Sequence, residues 1–536
     1  MKKILFAALF LAAFALNAQD TPPPKNWFNL DPQKDSVNGV STEKAYEYLQ
    51  GKPSKKVLVA VIDSGIDIEH EDLKAVIWTN EDEIPGNGID DDNNGYIDDV
   101  HGWNFIGGKD GTNVGKETLE ITREYKRLKA KYGNVSADEV AKKDREEFEY
   151  WKEIEASFEK SYSEATSQTM MMSNINSQLK RYNQLFKAYL EVDEVNSENI
   201  GKISSSDQVI ARGKQILSQI YTMTDPSLSL DTLIYFVEQD MQHFKDQAEY
   251  SYSLDLDTRQ IVGDDPDKLD EVGYGNNDVI GKGTDNFHGT HVAGIIAASR
   301  GNGLGIDGVA NNVEIMAVRA VPDGDERDKD VANAIRYAVD NGAQVINMSF
   351  GKGYSPNTQY VYDAIEYAAS KGVLLVHAAG NSAQNTDETN NFPNDKFGRK
   401  GDWANWIEVG ASSWGSENNY VGVFSNYGKK SVDVFAPGVA IYSLAPGNEY
   451  QDAQGTSMAS PVTAGVAAML LSYFPDLKPE QVKDILMKSV RGVEVKVNEP
   501  GTGEEVKFSN LSVSGGIINA YEAVKMAESM SLKGKK

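Results

Sequence analysis

The 536-residue chain has an ordinary globular composition but a strongly acidic charge balance. Apolar residues make up 40% and charged residues 25%, as is usual for soluble globular proteins, and the length allows more than one domain. The 80 acidic and 53 basic side chains give a formal net charge of −27, which argues against nucleic acid or anionic membrane as a partner and leaves carboxylates for a hard cation such as Ca²⁺. The chain has no cysteine, so no disulfide can stabilise it.

Residues 1–18 have the pattern of a secretory signal peptide. Lys2 and Lys3 form the charged start, residues 4–16 are an apolar run, and Ala18 is a suitable last residue before cleavage. A membrane anchor is the alternative, but a span needs about 20 apolar residues. We therefore expect an exported protein, periplasmic or extracellular, with no membrane span after signal cleavage.

Beyond an N-terminal connector at residues 19–53, two stretches alternate between strand and helix patterns. Residues 54–110 and 261–527 contain continuous apolar runs typical of strands buried on both faces, with amphipathic helical patterns between them. This alternation predicts an α/β fold with a doubly wound, mainly parallel sheet. The predicted strands are 56–62, 314–319, 344–348, 373–378 and 406–410, and the predicted helices are 41–50 (with Ser41 as its N-cap), 330–340, 359–370, 476–487 and 518–530. A basic tail, residues 528–536, follows.

The segment between these stretches, residues 111–260, has a different character. Glycine becomes rare, charge density rises, and apolar residues recur at helical spacing. We therefore predict an inserted all-α segment, in which the run from Met170 to Met172 fills the core. The apolar faces that indicate it are Trp151, Ile154 and Phe158, and Tyr182, Leu185, Phe186, Tyr189 and Leu190.

Three short motifs lie far apart in the chain: VAVIDSGID around Asp63, HGTHVAG around His288 and GTSMASP around Ser457. Asp63 ends a predicted strand, at the edge where open α/β sheets place their active sites. Ser457 precedes a helix whose N-terminus favours a developing negative charge. A serine hydroxyl becomes a nucleophile when a histidine takes its proton and an aspartate orients that histidine. Each residue alone could be a turn, cap or core residue, but together they predict an Asp–His–Ser triad.

These motifs resemble those of the subtilases, the subtilisin-like serine peptidases, and the resemblance covers residues 36–110 and 261–527. It implies a serine endopeptidase, which the signal-like residues 1–18 would direct out of the cytoplasm. HAAGN is similar to the family's oxyanion motif, which makes Asn381 the donor; such a donor is worth about 2.7–4 kcal/mol, a magnitude measured for subtilisin's own asparagine. VINMSFG is similar to the strand that pairs with the substrate. The implied substrate-binding residues are Ser349, Phe350, Gly351, Ala378 and Gly380, and Phe350 with Ala378 suggests a roomy apolar pocket.

The chain departs from the family pattern in two places. The span from Asp63 to His288 is far longer than the few tens of residues usual in the simplest subtilases, and the helical segment explains the difference. Residues 19–53 are too few for the folded prodomain that many members carry. How activity is restrained before export is not predicted by the sequence.

An acidic loop suggests bound calcium. Asp90, Asp92, Asn94 and Asp98 alternate around a glycine turn, as oxygen ligands do in an EF-hand loop, although His101 stands where that loop has its bidentate glutamate. A solvated acidic turn is the alternative reading. The family resemblance implies a second Ca²⁺ site with Asp72 and Asn302 as ligands. No organic cofactor is expected.

We weigh three functional classes for a chain with this serine motif. The first is the endopeptidase, with a peptide or protein as substrate and no nucleic-acid partner. The second is a non-cleaving subtilase-fold protein that binds peptides, but such proteins usually lose a triad residue. The third, an α/β-hydrolase esterase, needs the order Ser, Asp, His and a GxSxG motif, and this chain has neither.

Overall fold

The computed structural model describes residues 23–283, 285–396, 403–415 and 419–533. The predicted signal peptide and residues 534–536 of the basic tail lie outside these ranges. Within the described ranges, no helix combines the length and apolar character that crossing a membrane would require. The described chain forms two compact units: a helical unit of residues 121–256, and a sheet unit made of the residues before and after it.

The sheet unit is built on nine strands that form one sheet. Its order is β10-β13-β7-β6-β5-β4-β1-β3-β2, and all neighbours are parallel except β10 and β13. The pairs β8–β9 and β11–β12 are separate antiparallel ribbons. In chain order the strands are β1 Val57–Asp63, β2 Gly102–Asn104, β3 Val313–Arg319, β4 Val345–Met348, β5 Leu374–Ala378, β6 Trp406–Ser412, β7 Val434–Pro437, β8 Ile441–Ala445, β9 Glu449–Ala453, β10 Arg491–Gly492, β11 Lys496–Asn498, β12 Glu505–Lys507 and β13 Gly516–Ile517.

Helices cover both faces of this sheet. In chain order, the helices of the two units together are α1 Thr42–Leu49, α2 Glu120–Tyr132, α3 Arg145–Leu190, α4 Ser197–Gly201, α5 Gln208–Tyr221, α6 Leu230–Asp246, α7 Arg259–Val262, α8 Phe287–Ala297, α9 Asp328–Asp340, α10 Thr358–Lys371, α11 Thr456–Tyr473, α12 Pro479–Lys488 and α13 Ala520–Lys533; those within residues 121–256 belong to the helical unit and not to the sheet. Val57, Val59 and Val61 pack with α1, α8, α11, α12 and α13, whereas Ala60 and Ile62 pack with α9 and α10. Because a strand alternates its side chains between faces, this split defines a doubly wound α/β fold, as predicted.

Every strand and helix predicted for the sheet unit is present, with ends shifted by a few residues. Ser41 is the N-cap residue of α1, as predicted, but it has a φ of 63° and its side chain makes no capping bond. The described part of the predicted connector is packed into the fold. Trp27 and Phe28 are fully buried, and the Trp27 indole donates to the Ala440 carbonyl over 2.9 Å.

The helical unit comprises α3 to α6 and nearly all of α2, and α3 alone runs for 46 residues. Trp151, Ile154 and Phe158 are buried, as their spacing predicted. Two expectations are wrong here. Tyr189 is exposed, and of the three methionines only Met172 is buried, since the polar run around Met170 turns that face of α3 to solvent.

Candidate active site

Asp63 and His288 form the best-defined contact of the predicted triad. Asp63 is the buried last residue of β1, and His288 lies in the first turn of α8. The His288 Nδ1 atom is 2.7 Å from Asp63 Oδ1, which also accepts the Ser64 N–H at 2.7 Å. Burial lowers the pKa of His288, but the charge of Asp63 and the bond to it outweigh this, so the pKa is raised above its ordinary value. Asp63 therefore favours the imidazolium that a general base forms.

Two glycines permit this close approach. A Cβ atom on Gly289 would lie 2.2 Å from the Gly65 carbonyl oxygen and 3.1 Å from Asp63 Cβ. Gly65 has a φ of 117°, a conformation that side-chain-bearing residues rarely adopt. The glycines of the DSG and HGT motifs therefore let the start of α8 contact the turn after β1.

Ser457 is the second residue of α11 and faces the end of β4. Its hydroxyl donates to the Ser349 carbonyl at 3.1 Å, while the Ser349 hydroxyl donates to the Ser457 carbonyl at 2.9 Å. Among the described residues, Ser457 makes no hydrogen bond to His288. Catalytic bonds of this kind are often absent or long in a free site and form when the substrate binds.

The Asn381 side chain is oriented by Thr456. Its Oδ1 atom accepts the Thr456 N–H at 2.8 Å and the Thr456 hydroxyl at 3.0 Å. This leaves the Nδ2 group as the donor directed at the start of α11, where a Cβ on Gly455 would be 3.3 Å away. The Gly380 N–H donates to the same threonine hydroxyl at 3.0 Å. Sequence reasoning missed Thr456, although it stands in the GTS motif beside the predicted nucleophile.

The predicted substrate-binding residues lie at the ends of two adjacent strands. Ser349, Phe350 and Gly351 follow β4, whereas Ala378 ends β5 and Gly380 lies two residues further on. The half-buried Phe350 ring meets the His377 ring edge-on, with centroids 6.3 Å apart.

Asn391 lies in the gap between these two strand ends. Its Nδ2 group donates to the Ala378 carbonyl at 3.3 Å, and a Cβ on Gly351 would be 2.6 Å from its Oδ1 atom. A Cβ on Gly380 would be 3.5 Å from its Cγ atom. The Asn391 amide therefore places polar atoms beside the residues for which the sequence suggests a roomy apolar pocket. No sequence pattern links Asn391 to either strand.

The acidic loop brings some of its predicted ligands together. Carboxylate oxygens of Glu83, Asp90 and Asp92 lie within 4.8 Å of one another. Glu83, which sequence reasoning missed, is buried, and its Oε2 atom has no hydrogen-bond partner among the described residues. Such an orphaned buried oxygen fits a cation. The carboxylate of Asp98 is directed elsewhere and accepts the N–H groups of Asn87 and Gly88.

The remaining predicted metal ligands also have internal partners. The Asn94 side-chain Oδ1 atom accepts the Tyr96 N–H, and its Nδ2 group donates to Asp92 and Asp99. The structure places Asp72 and Asn302 in contact, with the Asn302 Nδ2 group 2.6 Å from Asp72 Oδ1. Burial raises the pKa of Asp72. A nearby cation would lower it again and would require the asparagine to present its oxygen instead.

The parallel sheet, the contact between His288 and the buried Asp63, and the serine at the start of a buried helix define the class of protein. A family model described as the subtilase family matches residues 54–505, and the chain belongs to that family.

Three curated proteins illustrate the likeness. The chain is 38% identical over 240 residues to the thermophilic serine proteinase of Bacillus sp. (strain AK1), covering 45% of this chain and 52% of that protein. It is 39% identical to subtilisin DY of Bacillus licheniformis over 202 residues, or 38% and 69% of the two chains. It is 36% identical to thermitase of Thermoactinomyces vulgaris over 240 residues, or 45% and 75%. The match thus spans about half the length of the first of these relatives.

Proposed function

We propose that this protein is a serine endopeptidase that hydrolyses peptide bonds. The observation that carries the proposal is the 2.7 Å contact between His288 and the buried Asp63, because it orients an imidazole as a general base on the same unit as Ser457. The chain also belongs to the subtilase family, and the proteins similar to it include a serine proteinase; both findings support the same activity.

In the proposed reaction, Ser457 gives up its bond to the Ser349 carbonyl and turns its hydroxyl toward His288 Nε2. His288 takes the proton as Ser457 Oγ attacks the substrate carbonyl carbon, and it then donates that proton to the leaving amine. Asp63 remains ionised and stabilises the imidazolium. The Asn381 Nδ2 group and the Ser457 N–H donate to the oxyanion, and water then releases the acyl group by the same steps.

The substrate backbone would add to residues 349–351 as an extra strand, with the side chain before the cleaved bond directed at the gap between the two strand ends. The Asn391 amide reduces this space and supplies polar atoms. We therefore expect a preference for small or polar side chains at this position over large apolar ones.

Calcium is the second part of the proposal. Glu83, Asp90 and Asp92 would hold one Ca²⁺ ion through carboxylate oxygens, with the orphaned Glu83 Oε2 as a ligand. A cation that binds only the folded state stabilises it by about 2.7 kcal/mol at 100 times its Kd. The thermal midpoint should therefore fall in chelator, and fall much less in Glu83→Gln. The exposed Glu198→Gln is the matched control. An unchanged wild-type midpoint in chelator would contradict the site.

Export is the third part. The signal-like residues 1–18 support secretion to the periplasm or the medium. N-terminal sequencing of the protein recovered outside the cytoplasm should begin close to residue 19, and recovery only in the cytoplasm with Met1 intact would contradict export.

The alternative is a subtilase-fold protein that binds peptides without cleaving them, which the Ser457–Ser349 bonds in place of a Ser457–His288 bond would favour. Hydrolysis of a mixed peptide library separates the two functions. Wild type and Ser177→Ala, an exposed serine on α3, should cleave equally, whereas Ser457→Ala should not cleave. Peptide binding by wild type without any cleavage would establish the alternative.

A further inference from the structure

Arg319 differs from the other buried arginine of the sheet unit, Arg259, because its guanidinium is almost completely buried without a close ion pair among the described residues. It ends β3, directly beside Asp63 in the register between β1 and β3, and it is 1% exposed. Its ion-pair distance to Asp285, a partly exposed carboxylate, is 3.9 Å, the outer limit of such a contact. A buried charge held by so weak a pair needs other compensation.

The guanidinium contacts three segments around Asp63. Its Nε–H donates to the carbonyl of Ser64 at 2.8 Å, one terminal N–H group donates to the Val114 carbonyl at 3.0 Å, and the other reaches Asn104 Oδ1 at 3.4 Å. The first of these bonds holds the residue directly after the predicted triad aspartate. Arg319 thereby fixes the turn that directly follows Asp63.

The loop before α8 also closes on Arg319. A Cβ on Gly281 would lie 3.1 Å from Arg319 Nε, and a Cβ on Gly65 would lie 3.2 Å from its Cδ. Both glycines have positive φ angles, 78° and 117°. Asp285, on the same loop, is only three residues before His288. Arg319 is therefore enclosed by the two segments that carry the Asp63–His288 pair.

Asp63 and Arg319 share a face of the sheet. Val57, Val59 and Val61 on β1 and Val313, Ile315 and Ala317 on β3 pack in the same core, and Asp63 and Arg319 continue these alternating series. Asp63 is itself 1% exposed, and its Oδ2 atom has no hydrogen-bond partner among the described residues. Asp63 and Arg319 therefore carry opposite charges and project from paired positions on the same face of the sheet.

We propose that Arg319 is a positioning residue for the Asp63–His288 pair, which joins the turn after Asp63 to the loop before His288 and supplies the positive charge that balances the buried carboxylate. The inference rests on the proposed function. Other titratable groups surround the pair: His291 on α8, Asp67 after the turn, and Asp278 and Asp285 on the preceding loop.

The test compares Arg319→Gln, Arg319→Lys and a matched control, Arg491→Gln. Arg491 is a second partly buried arginine whose pKa is lowered by burial, and it lies on β10 at the far edge of the sheet. The kcat, the KM and the acid limb of kcat/KM are measured for each variant and for wild type. Thermal midpoints are recorded in parallel, so that a loss of folding is seen directly.

For Arg319→Gln we expect kcat to fall by about 10²-fold with little change in KM, because a displacement of about 1 Å can cost that much. Loss of the positive charge makes the surroundings of His288 more negative, so the acid limb should move up by about one pH unit. Arg319→Lys should keep the acid limb, since it keeps the charge, and still lose kcat, since an ammonium cannot reproduce the planar fork. Arg491→Gln should leave both unchanged.

A folded Arg319→Gln with wild-type kcat and an unmoved acid limb would overturn the proposal. If this variant does not fold, Arg319→Lys decides: wild-type kcat there would overturn it too. Failure of the proposed function is distinguishable, because then wild type itself does not hydrolyse peptides. In that case the pKa of His288, measured by NMR among only six histidines, should still rise in Arg319→Gln, and an unchanged value would refute the charge balance.

Discussion

The two units of this protein differ in whether their ion pairs are buried or exposed to solvent. In the sheet unit, Arg259 pairs with Asp264 and Asp330, and Lys352 pairs with Glu120 and Asp328, and every one of these side chains is at least nine-tenths buried. In the helical unit, pairs such as Lys202–Glu198 and Lys180–Glu238 are exposed to solvent. Its interior is instead an apolar cluster formed by α3 to α6 and the segments that join them.

Buried and exposed ion pairs have different physical effects on the segments that carry them. A buried ion pair adds little net stability, but it penalises any arrangement that separates its partners. Lys352 directly follows the predicted substrate-binding residues and also donates to the Glu326 carbonyl at 2.8 Å. It therefore holds the end of that segment in one position. Exposed pairs contribute at most about 1 kcal/mol and impose no such restraint.

Breaking one pair in each unit tests this contrast most strongly. Lys352→Met should destabilise the sheet unit by about 3–5 kcal/mol, because it leaves buried carboxylates without a cation. Lys202→Met should change the stability of the helical unit by less than about 0.5 kcal/mol. Urea unfolding followed by tryptophan fluorescence and circular dichroism measures both. Equal effects of the two substitutions would contradict the comparison.

Asparagine substitutions compare a predicted oxyanion donor with a structural amide. Asn381→Ala should lower kcat by about 10²–10³-fold with little change in KM, as measured for subtilisin's own oxyanion asparagine. Asn183→Ala removes an amide of α3 that bonds to Asp231, and it should leave kcat unchanged. Steady-state hydrolysis of one peptide substrate is sufficient. A rise in KM without a fall in kcat would argue against an oxyanion role.

Measuring the stability of the protein against pH tests a buried titratable group of the sheet unit, His291. Burial lowers the pKa of His291 from 6.5 to about 4, and its Nε2 atom bonds to the Gln451 carbonyl. Because the folded pKa is the lower one, this contribution to stability is complete above pH 6.5 and is lost as pH falls toward 4. The loss should reach about 3 kcal/mol. His291→Gln, which keeps a donor, should show a shallower acid decline, and an identical decline would contradict the assignment.

The smallest expected effect concerns the predicted substrate pocket. Asn391→Ala should enlarge the gap beside Gly351 and Ala378 and shift the cleavage preference toward larger apolar side chains by about tenfold. Cleavage-site profiling of one peptide library with both proteins measures this shift. Asn391→Asp is the control, since it preserves the volume. Identical profiles for wild type and Asn391→Ala would show that Asn391 does not line the pocket.

What the sequence could predict follows from how local each signal is. Asp63, His288 and Ser457 stand in motifs at the ends of a strand and the starts of two helices, so their elements were predictable from neighbouring residues. Thr456, Asn391, Glu83 and Arg319 act on partners from distant segments, and no local pattern reports such contacts. Ser41 has the right residue type for a cap but adopts a left-handed backbone, which propensity alone cannot anticipate.

The central claim is that Ser457 is a nucleophile activated by His288. Covalent labelling with a fluorophosphonate, followed by peptide mapping by mass spectrometry, tests it most directly. We expect one phosphonyl group on Ser457 of the wild type, slower labelling in His288→Ala, and none in Ser457→Ala. Labelling of a different serine, or equal labelling of wild type and Ser457→Ala, would contradict the account.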